Sequence, residues 1–167
     1  MRRAGEYAHF SCIMQVKVCY SESMTRNASR ARRSACPLNV SVEMLGDRWS
    51  LLILRDMMVR GYRTFQQFLA FDEANATNIL ADRLGRLEEA GIIAAQPDPS
   101  DGRRRIYTLT GKGIDLAAVL TEMVLWAARH EKTGNEPLVR RMKKDKQKFL
   151  AEIRKGWEES TGRYPRK

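Results

Sequence analysis

The stretch that decides the fold runs from Thr64 to Thr110 and reads TFQQFLAFDEANATNILADRLGRLEEAGIIAAQPDPSDGRRRIYTLT. It opens with a capping box, because Thr64 at an N-cap is followed three residues later by Gln67. A polar turn separates this short helix from a second helix predicted over 76–90, which ends at Gly91. Two short strands follow, joined by a turn dense in Pro, Asp and Gly. The order helix, turn, helix, hairpin predicts a winged helix-turn-helix, a fold that binds DNA.

Helices are predicted on both sides of this unit. Pro37 opens a short helix, and Asp47 is a natural N-cap for a second one. On the other side, Thr110 caps a long helix that ends near His130, and a further helix is predicted over 136–158. The predicted fold class is therefore mainly α with a small β-hairpin (α+β), a winged helix-turn-helix with a long C-terminal dimerisation helix.

Composition divides the chain into four parts. Residues 1–35 form a basic arm that is predicted to be disordered, and 36–131 hold the winged domain. A basic amphipathic helix over 136–158 and a basic tail over 159–167 follow. Lys and Arg outnumber the acids by seven to two in the first 33 residues and by eleven to four in the last 30, whereas the middle is slightly acidic. The net charge of +10 therefore either favours nucleic acid through the tails or belongs to solvated tails without a partner.

Several classes of protein are disfavoured by what the sequence lacks. No apolar run approaches the roughly 20 residues of a membrane span, and the N-terminus has no clean apolar signal core. The three cysteines, Cys12, Cys19 and Cys36, include no CxxC pair, so neither a disulfide framework nor a metal site is predicted, and a reducing cytoplasm fits best. Without a Gly-rich phosphate loop or a Ser-His-Asp set, catalysis and a cofactor are not expected. Translation is expected to begin either at Met1 or at Met24.

The helix over 76–90 is the predicted recognition helix, because the second helix of a helix-turn-helix enters the major groove. With its leucines facing inward, Asn78 lies on the outer face in the first turn, where an Asn side chain can pair bidentately with adenine. Asp82 either contacts a cytosine amino group or pairs with Arg86 four residues on. The alternative for Asn78 is an ordinary solvated residue near a helix start.

The hairpin tip, Gly102-Arg103-Arg104-Arg105, places three guanidinium groups at or beside a turn. They either press against phosphates and the minor groove or guard an exposed strand edge against aggregation. Thr64 and Gln67 are expected to hold a phosphate in addition to forming the capping box. The residues predicted to contact DNA are Thr64, Gln67, Thr77, Asn78, Ala81, Asp82, Arg86, Arg103, Arg104 and Arg105.

The long helix after the hairpin carries an apolar stripe that exceeds the needs of a small winged domain. Such a stripe predicts packing against a second copy, which agrees with the two-fold DNA sites that dimeric proteins bind. Its members are Leu116, Val119, Leu120, Met123 and Trp126.

Cys36 is the candidate for a sensor thiol. It lies at a helix N-terminus and follows Arg32 and Arg33, and both features favour a thiolate. The alternative is an inert structural cysteine.

These motifs together resemble the HxlR family of bacterial transcriptional regulators, relatives of the MarR-like winged helix proteins. The matching pieces are Cys36-Pro37, the segment 46–56 (GDRWSLLILRD), Phe65 to Leu69, the segment 77–84 (TNILADRL), the segment 87–91 (LEEAG), the segment 107–113 (YTLTGKG), and Trp126 with His130. The resemblance spans about 36–131. Two departures are Ala74-Asn75-Ala76, where many relatives have Gly-Ile-Ser, and Arg105, where many have an apolar residue.

The resemblance implies a homodimer that binds promoter DNA as a repressor or an activator. It implies dimerisation through the first and last helices of the domain, which adds Leu38 and Val42 of the first helix to the expected interface. Some family members respond to electrophiles or oxidants through a cysteine near the first helix, where Cys36 falls; the effector of this chain stays unknown. The rival hypothesis is a winged-helix protein-interaction module that does not read DNA sequence, because the middle of the chain is acidic.

Overall fold

The computed structural model describes residues 35–70 and 77–163. Residues 1–34, with Cys12, Cys19 and Met24 and most of the predicted disordered arm, lie outside the described residues, as do residues 71–76, which hold the predicted polar turn. Within them the helices are α1 (Pro37–Leu45), α2 (Arg48–Arg55, continuing as a π-helical turn over Asp56–Arg60), α3 (Phe65–Leu69), α4 (Thr77–Glu89), α5 (Gly111–Ile114), α6 (Leu116–His130), α7 (Glu136–Lys144) and α8 (Lys146–Arg163). The strands are β1 (Ile93–Asp98) and β2 (Asp101–Leu109), which pair antiparallel. The predicted mainly helical winged helix-turn-helix is confirmed.

Local capping explains where the central helices begin. The Asp47 side chain accepts hydrogen bonds from the backbone N–H groups of Trp49 (3.0 Å) and Ser50 (2.9 Å), which are free donors in the first turn of α2. Thr64 and Gln67 form the predicted capping box: the Thr64 hydroxyl accepts from the Gln67 N–H (3.3 Å), and the Gln67 side chain accepts from the Thr64 N–H (2.9 Å). These caps define the start of each helix without any distant contact.

One hydrophobic core joins the helix-turn-helix to the root of the hairpin. Leu80, Leu84 and Leu87 of α4 are buried, as their spacing of four and three predicted. The spacing of Trp49 from Leu52 and Ile53 predicts that it also faces inward, but Trp49 is only half-buried, and the Arg48 guanidinium lies 5.3 Å from its ring centroid. The full core consists of Ile53, Leu54, Met57, Phe68, Leu80, Leu84, Leu87, Ile92, Ile93, Tyr107, Leu109 and Ile114.

The hairpin is longer than the sequence predicted. The cluster of turn residues from Pro97 to Gly102 predicts that the first strand ends at Gln96, but β1 continues through Pro97, which lies opposite Arg105. The strand tolerates the proline because of the direction of the backbone N–H groups on β2. The N–H of Tyr107, two residues after Arg105, points away from β1 and donates to the Arg63 carbonyl (2.7 Å). By the alternation of an antiparallel ladder, Pro97 and Arg105 exchange no ladder bonds either, so the missing proline N–H costs no hydrogen bond. The Asp98 side chain then accepts from the Ser100 N–H (2.8 Å) to close a shorter turn.

Two glycines allow two segments of the backbone to approach closely at the base of the hairpin. Gly91 ends α4 with a left-handed φ of 66°, which favours glycine. A Cβ on Gly113 would come within 2.1 Å of the Ile92 carbonyl oxygen, so only glycine allows α5 to approach so closely. Thr110 joins the two, because its hydroxyl donates to the Gly91 carbonyl (2.7 Å) and accepts from the Gly113 N–H (3.1 Å).

The C-terminal part differs from the single helix expected over 136–158 and the tail expected from 159. Two helices, α7 and α8, replace that helix, because the Asp145 backbone is extended and its side chain caps α8 by accepting from the Lys148 N–H (2.8 Å). Helix α8 then continues to Arg163. It does so because its last turns are held: the Trp157 indole N–H donates to the Leu109 carbonyl (2.9 Å), and Ser160 contacts Arg63 (3.4 Å). The long helix predicted after Thr110 is likewise divided, at Asp115, into α5 and α6.

Candidate nucleic-acid interface

The outer face of α4 is solvent-exposed along its whole length. Thr77 and Asn78 lie exposed in its first turn, and Asp82 and Arg86 follow on the same side. Ala81, on the flank, is exposed too. Three buried leucines on the opposite side hold the helix against the core, so this face is presented by a rigid element. The geometry matches that of a helix whose N-terminal residues meet base edges.

Ile79 is a member of this face that the sequence analysis missed. It is 40% exposed, although isoleucine is an apolar side chain that usually packs inward. Its position one residue before the buried Leu80 places it on the exposed side, which helical spacing alone could have shown. An exposed apolar side chain beside Asn78 is suited to contact with a thymine methyl group.

Two of the three acidic residues of α4, Asp82 and Glu88, are paired with arginines. Asp82 contacts Arg86 at 3.0 Å, which is the intrahelical pair that the sequence left as one of two alternatives. Arg83, which the sequence analysis overlooked, lies 3.7 Å from Asp82 and 3.4 Å from the Asp47 carboxylate, so it links α4 to the cap of α2. Because Asp82 is flanked by two guanidinium groups, its charge is partly compensated on the side that a polyanion would approach.

The β1–β2 hairpin is the wing of this fold, and its three arginines at 103–105 differ in their partners. Arg104 donates to Asp101 at the turn (3.0 Å), and Arg105 donates to both carboxylate oxygens of Glu88 on α4 (2.9 and 3.1 Å). Arg103 is exposed and takes part in no ion pair within the part of the chain that the structure describes. Of the three, Arg103 is therefore the guanidinium most available to a phosphate.

Hydrogen bonds at the wing turn shift the ionisation of its groups. The Ser100 hydroxyl and N–H hold the pKa of the Asp98 carboxyl below its usual value. The Arg104 guanidinium and the Arg103 N–H do the same for the pKa of Asp101, and Asp101 in turn raises the pKa of Arg104. Both carboxylates are thus charged at neutral pH, and the turn keeps its shape there.

Thr64 and Gln67 lie at the start of α3 with most of their polar groups engaged. The Gln67 side-chain oxygen accepts from two successive backbone N–H groups, those of Arg63 (2.8 Å) and Thr64 (2.9 Å). Gln67 is exposed and Thr64 is half-buried. The capping box accounts for the presence of both residues at these positions. A phosphate could contact only the hydrogen-bond donors of Thr64 and Gln67 that the box does not use.

Helices α1 and α6 expose apolar side chains. Leu38 is 72% and Val42 56% exposed, and α1 has no buried residue. On α6 the predicted stripe divides: Leu116 and Leu120 pack against the core, whereas the others stay outside. The exposed members are Val119 (50%), Met123 (46%) and Trp126 (61%). Exposed apolar side chains grouped in this way make α1 and α6 candidates for an interaction surface.

Cys36 is the N-cap residue of α1, as its place before Pro37 suggested. Its backbone is extended, and the residue is half-buried. Among the residues that the structure describes, no group of three His, Cys, Asp or Glu side chains is arranged to hold a metal ion. The described helices also include none long and apolar enough to cross a membrane.

The fold and this face define a helix-turn-helix transcriptional regulator, and comparison with known proteins gives its family. Residues 44–135, more than half of the chain, match the model of the family described as HxlR-like helix-turn-helix. The chain belongs to that family, as the motifs indicated.

Individual relatives agree with this assignment. The HTH-type transcriptional regulator YodB of Bacillus subtilis is 35% identical over 101 residues, which cover 60% of this chain and 89% of YodB. Mb3122 of Mycobacterium bovis, an uncharacterized HTH-type transcriptional regulator, is 38% identical over 86 residues, covering 52% of this chain and 53% of its own length. The chain therefore spans only about half of that relative. The crystal structure of PA1607 superposes with a TM-score of 0.56 at 33% identity, over 62% of this chain and 71% of PA1607.

Proposed function

We propose that this chain is a homodimeric, non-catalytic regulator that binds promoter DNA sequence-specifically, with α4 of each protomer in the major groove. The observation that carries the proposal is the exposed first turn of α4, where Thr77, Asn78 and Ile79 stand clear of the core on a helix anchored by buried leucines. In this placement Asn78 reads a base, Arg103 contacts the backbone, and Arg86 and Thr64 contact flanking phosphates.

The dimer in this proposal is formed by α1 and α6. Both helices expose apolar side chains that their own protomer does not cover, and a second copy is the partner that a two-fold DNA site requires. The interface then comprises Leu38, Val42, Val119, Met123 and Trp126, while Leu116 and Leu120 support it from the core side.

Replacing Asn78 with alanine is expected to cost about 1–3 kcal/mol on cognate DNA and to relax one position of the binding site, because a bidentate contact to a base is lost. Arg103→Gln should instead weaken all sequences alike and reduce the slope of log affinity against log salt by about one. Both effects are measured by titrating duplexes selected from a randomised library by the wild-type protein. Unchanged cognate affinity of Asn78→Ala would show that α4 does not read DNA as proposed.

The same titration separates the regulator from an interaction module without sequence reading. A regulator enriches a defined, two-fold symmetric sequence, whereas a module with basic tails binds all duplexes with similar affinity and a steep salt dependence. Asp82, one of the acidic residues that favoured the module, is flanked by Arg83 and Arg86 in the structure. This favours the regulator.

We further propose that Cys36 makes DNA binding sensitive to oxidation. The thiol lies at the start of α1, the helix that exposes Leu38 and Val42 to the proposed partner, so a bulky or charged adduct there would disturb the dimer. Treatment with diamide and glutathione, in which diamide is reduced to its hydrazine while Cys36 and glutathione form a mixed disulfide, is expected to lower the operator affinity of the wild type and to leave Cys36→Ser unaffected. A Cys12→Ser/Cys19→Ser variant that keeps the full response is the control; loss of the response in that variant would transfer the sensor to the N-terminal arm.

A further inference from the structure

The pair between Glu88 and Arg105 connects two elements that the DNA-binding proposal treats separately. Glu88 lies near the C-terminal end of α4, and Arg105 lies on β2, seventeen residues further along the chain. One guanidinium nitrogen of Arg105 bridges both carboxylate oxygens of Glu88, at 2.9 and 3.1 Å. The recognition helix and the wing are therefore joined directly, outside the hydrophobic core.

The Arg105 guanidinium also rests on the core. Its central carbon lies 5.7 Å from the centroid of the Tyr107 ring, in the arrangement of a cation–π contact. Tyr107 is buried, and its ring packs edge-on against Phe68 of α3 at 6.4 Å. The guanidinium thus contacts Glu88 on α4 and the ring of Tyr107, and that ring in turn packs against Phe68 of α3.

The Glu88–Arg105 pair lies at the point of the β1–β2 hairpin where the regular ladder ends. The β-ladder is regular as far as Pro97 and Arg105, and a bulge follows between Pro97 and Asp98. Bulges bend a strand and change its twist, so the direction of the tip depends on what holds the ribbon at that point. Arg103 lies two residues beyond Arg105, in the irregular stretch between Arg105 and Asp101, and hence nearer the tip.

We infer that Glu88 and Arg105 form a brace that sets the angle of the wing against the recognition helix, so that Arg105 is a positioning residue and Arg103 makes the phosphate contact. The inference rests on the proposed DNA-binding function and deepens it. It assigns a favourable role to an acidic residue on a DNA-binding helix. Simple repulsion between a carboxylate and phosphate predicts the opposite.

Glu88→Gln and Glu89→Gln form a matched pair for testing the brace. Each removes one negative charge from the same end of α4, but Glu89 is exposed and takes part in no ion pair among the described residues. Glu88→Gln should bind the highest-affinity duplex selected by the wild type about three- to fivefold more weakly, because loss of a half-exposed ion pair changes an equilibrium constant by up to about this factor. Glu89→Gln should bind as well as the wild type or better.

Arg105 variants separate a brace from a phosphate contact. Arg105→Gln should lose about as much affinity as Glu88→Gln, and the double variant should lose no more than Arg105→Gln alone, because the two changes remove one interaction. The salt slope should stay at the wild-type value in Arg105→Gln. A slope lowered by about one, as for Arg103, would overturn the brace and make Arg105 a phosphate contact.

A measurement without DNA tests the brace independently of the proposed function. Backbone amide relaxation of Asp98 and of residues 100–104 by NMR should show greater picosecond-to-nanosecond mobility in Glu88→Gln than in Glu89→Gln and the wild type. Equal mobility in all three would overturn the brace. If the brace is found in this measurement but the wild type enriches no sequence from the library, it is the proposed DNA-reading function that fails.

Discussion

Replacing Trp126 with glutamate is expected to convert the dimer into monomers and to weaken binding to a two-half-site duplex by about 100-fold or more. The Trp126 side chain is 61% exposed on α6, beside Val119 and Met123, and its apolar surface is removed from water only if a partner covers it. A carboxylate placed there would lose its hydration in the dimer interface, at a cost in free energy. The DNA effect follows because a monomer loses the gain from binding two linked half-sites, which is on the order of 10² to 10⁴.

Sedimentation equilibrium measures the first effect, and titration of full-site and half-site duplexes measures the second. Ala118→Glu is the control, because it adds the same charge to an exposed position of α6 about 80° around the helix from Trp126. It should remain dimeric and bind normally. The half-site affinity should be the same for both variants, since α4 is untouched. A Trp126→Glu protein that stays dimeric would show that α6 is not the interface.

Much of the helix-turn-helix could be predicted because its determinants are local. Asp47, Thr64 and Thr110 cap helices within three residues of themselves, so the sequence pattern contains the whole interaction. The buried side of α4 follows from the spacing of its leucines for the same reason. Once the buried side of α4 was known, the opposite side, which holds Asn78, could be predicted to face solvent.

The long-range ion pairs of this surface could not be predicted, unlike the Asp82–Arg86 pair, because they join residues far apart in the sequence. Glu88 and Arg105 are seventeen residues apart, and Arg83 reaches back to the cap of α2 at Asp47. Nothing in either local sequence indicates the partner. The extent of β1 through Pro97 was missed for a related reason, since whether a proline fits a strand depends on which residue lies opposite.

The apolar stripe of α6 shows where a periodic pattern stops being informative. Its five members share one face in the sequence, but the structure separates them into Leu116 and Leu120, which pack inward, and three that stay exposed. The reason is that Leu116 and Leu120 lie on the edge of the stripe that packs against the hydrophobic core; α7 and α8 also contact this region, through the Lys146–Glu122 pair (2.6 Å) and the Arg154–Asp115 pair (2.7 Å). The sequence offered no sign of this contact.

Ending the chain after Asn135 is expected to unfold the winged domain or to destabilise it by more than about 4 kcal/mol. The family match ends at residue 135, and the sequence placed the whole winged domain before residue 132. The structure instead packs Ile153 and Trp157 of α8 against the hydrophobic core, and Met142 and Phe149 are themselves buried. Removal of α7 and α8 would expose this apolar surface and leave the Leu109 carbonyl without its indole donor.

Point variants test the same claim without truncation. Trp157→Ala should lower the free energy of unfolding by about 3 kcal/mol in urea denaturation, because it removes a large packed ring and its hydrogen bond to Leu109. Trp157→Phe keeps most of the packing and should lose only about 1 kcal/mol, the typical net value of one hydrogen bond. Lys155→Ala, at an exposed position of α8, should change stability by less than about 0.5 kcal/mol. If Trp157→Ala and the truncated chain were as stable as the full protein, α8 would be an appendage, and the core would close without it.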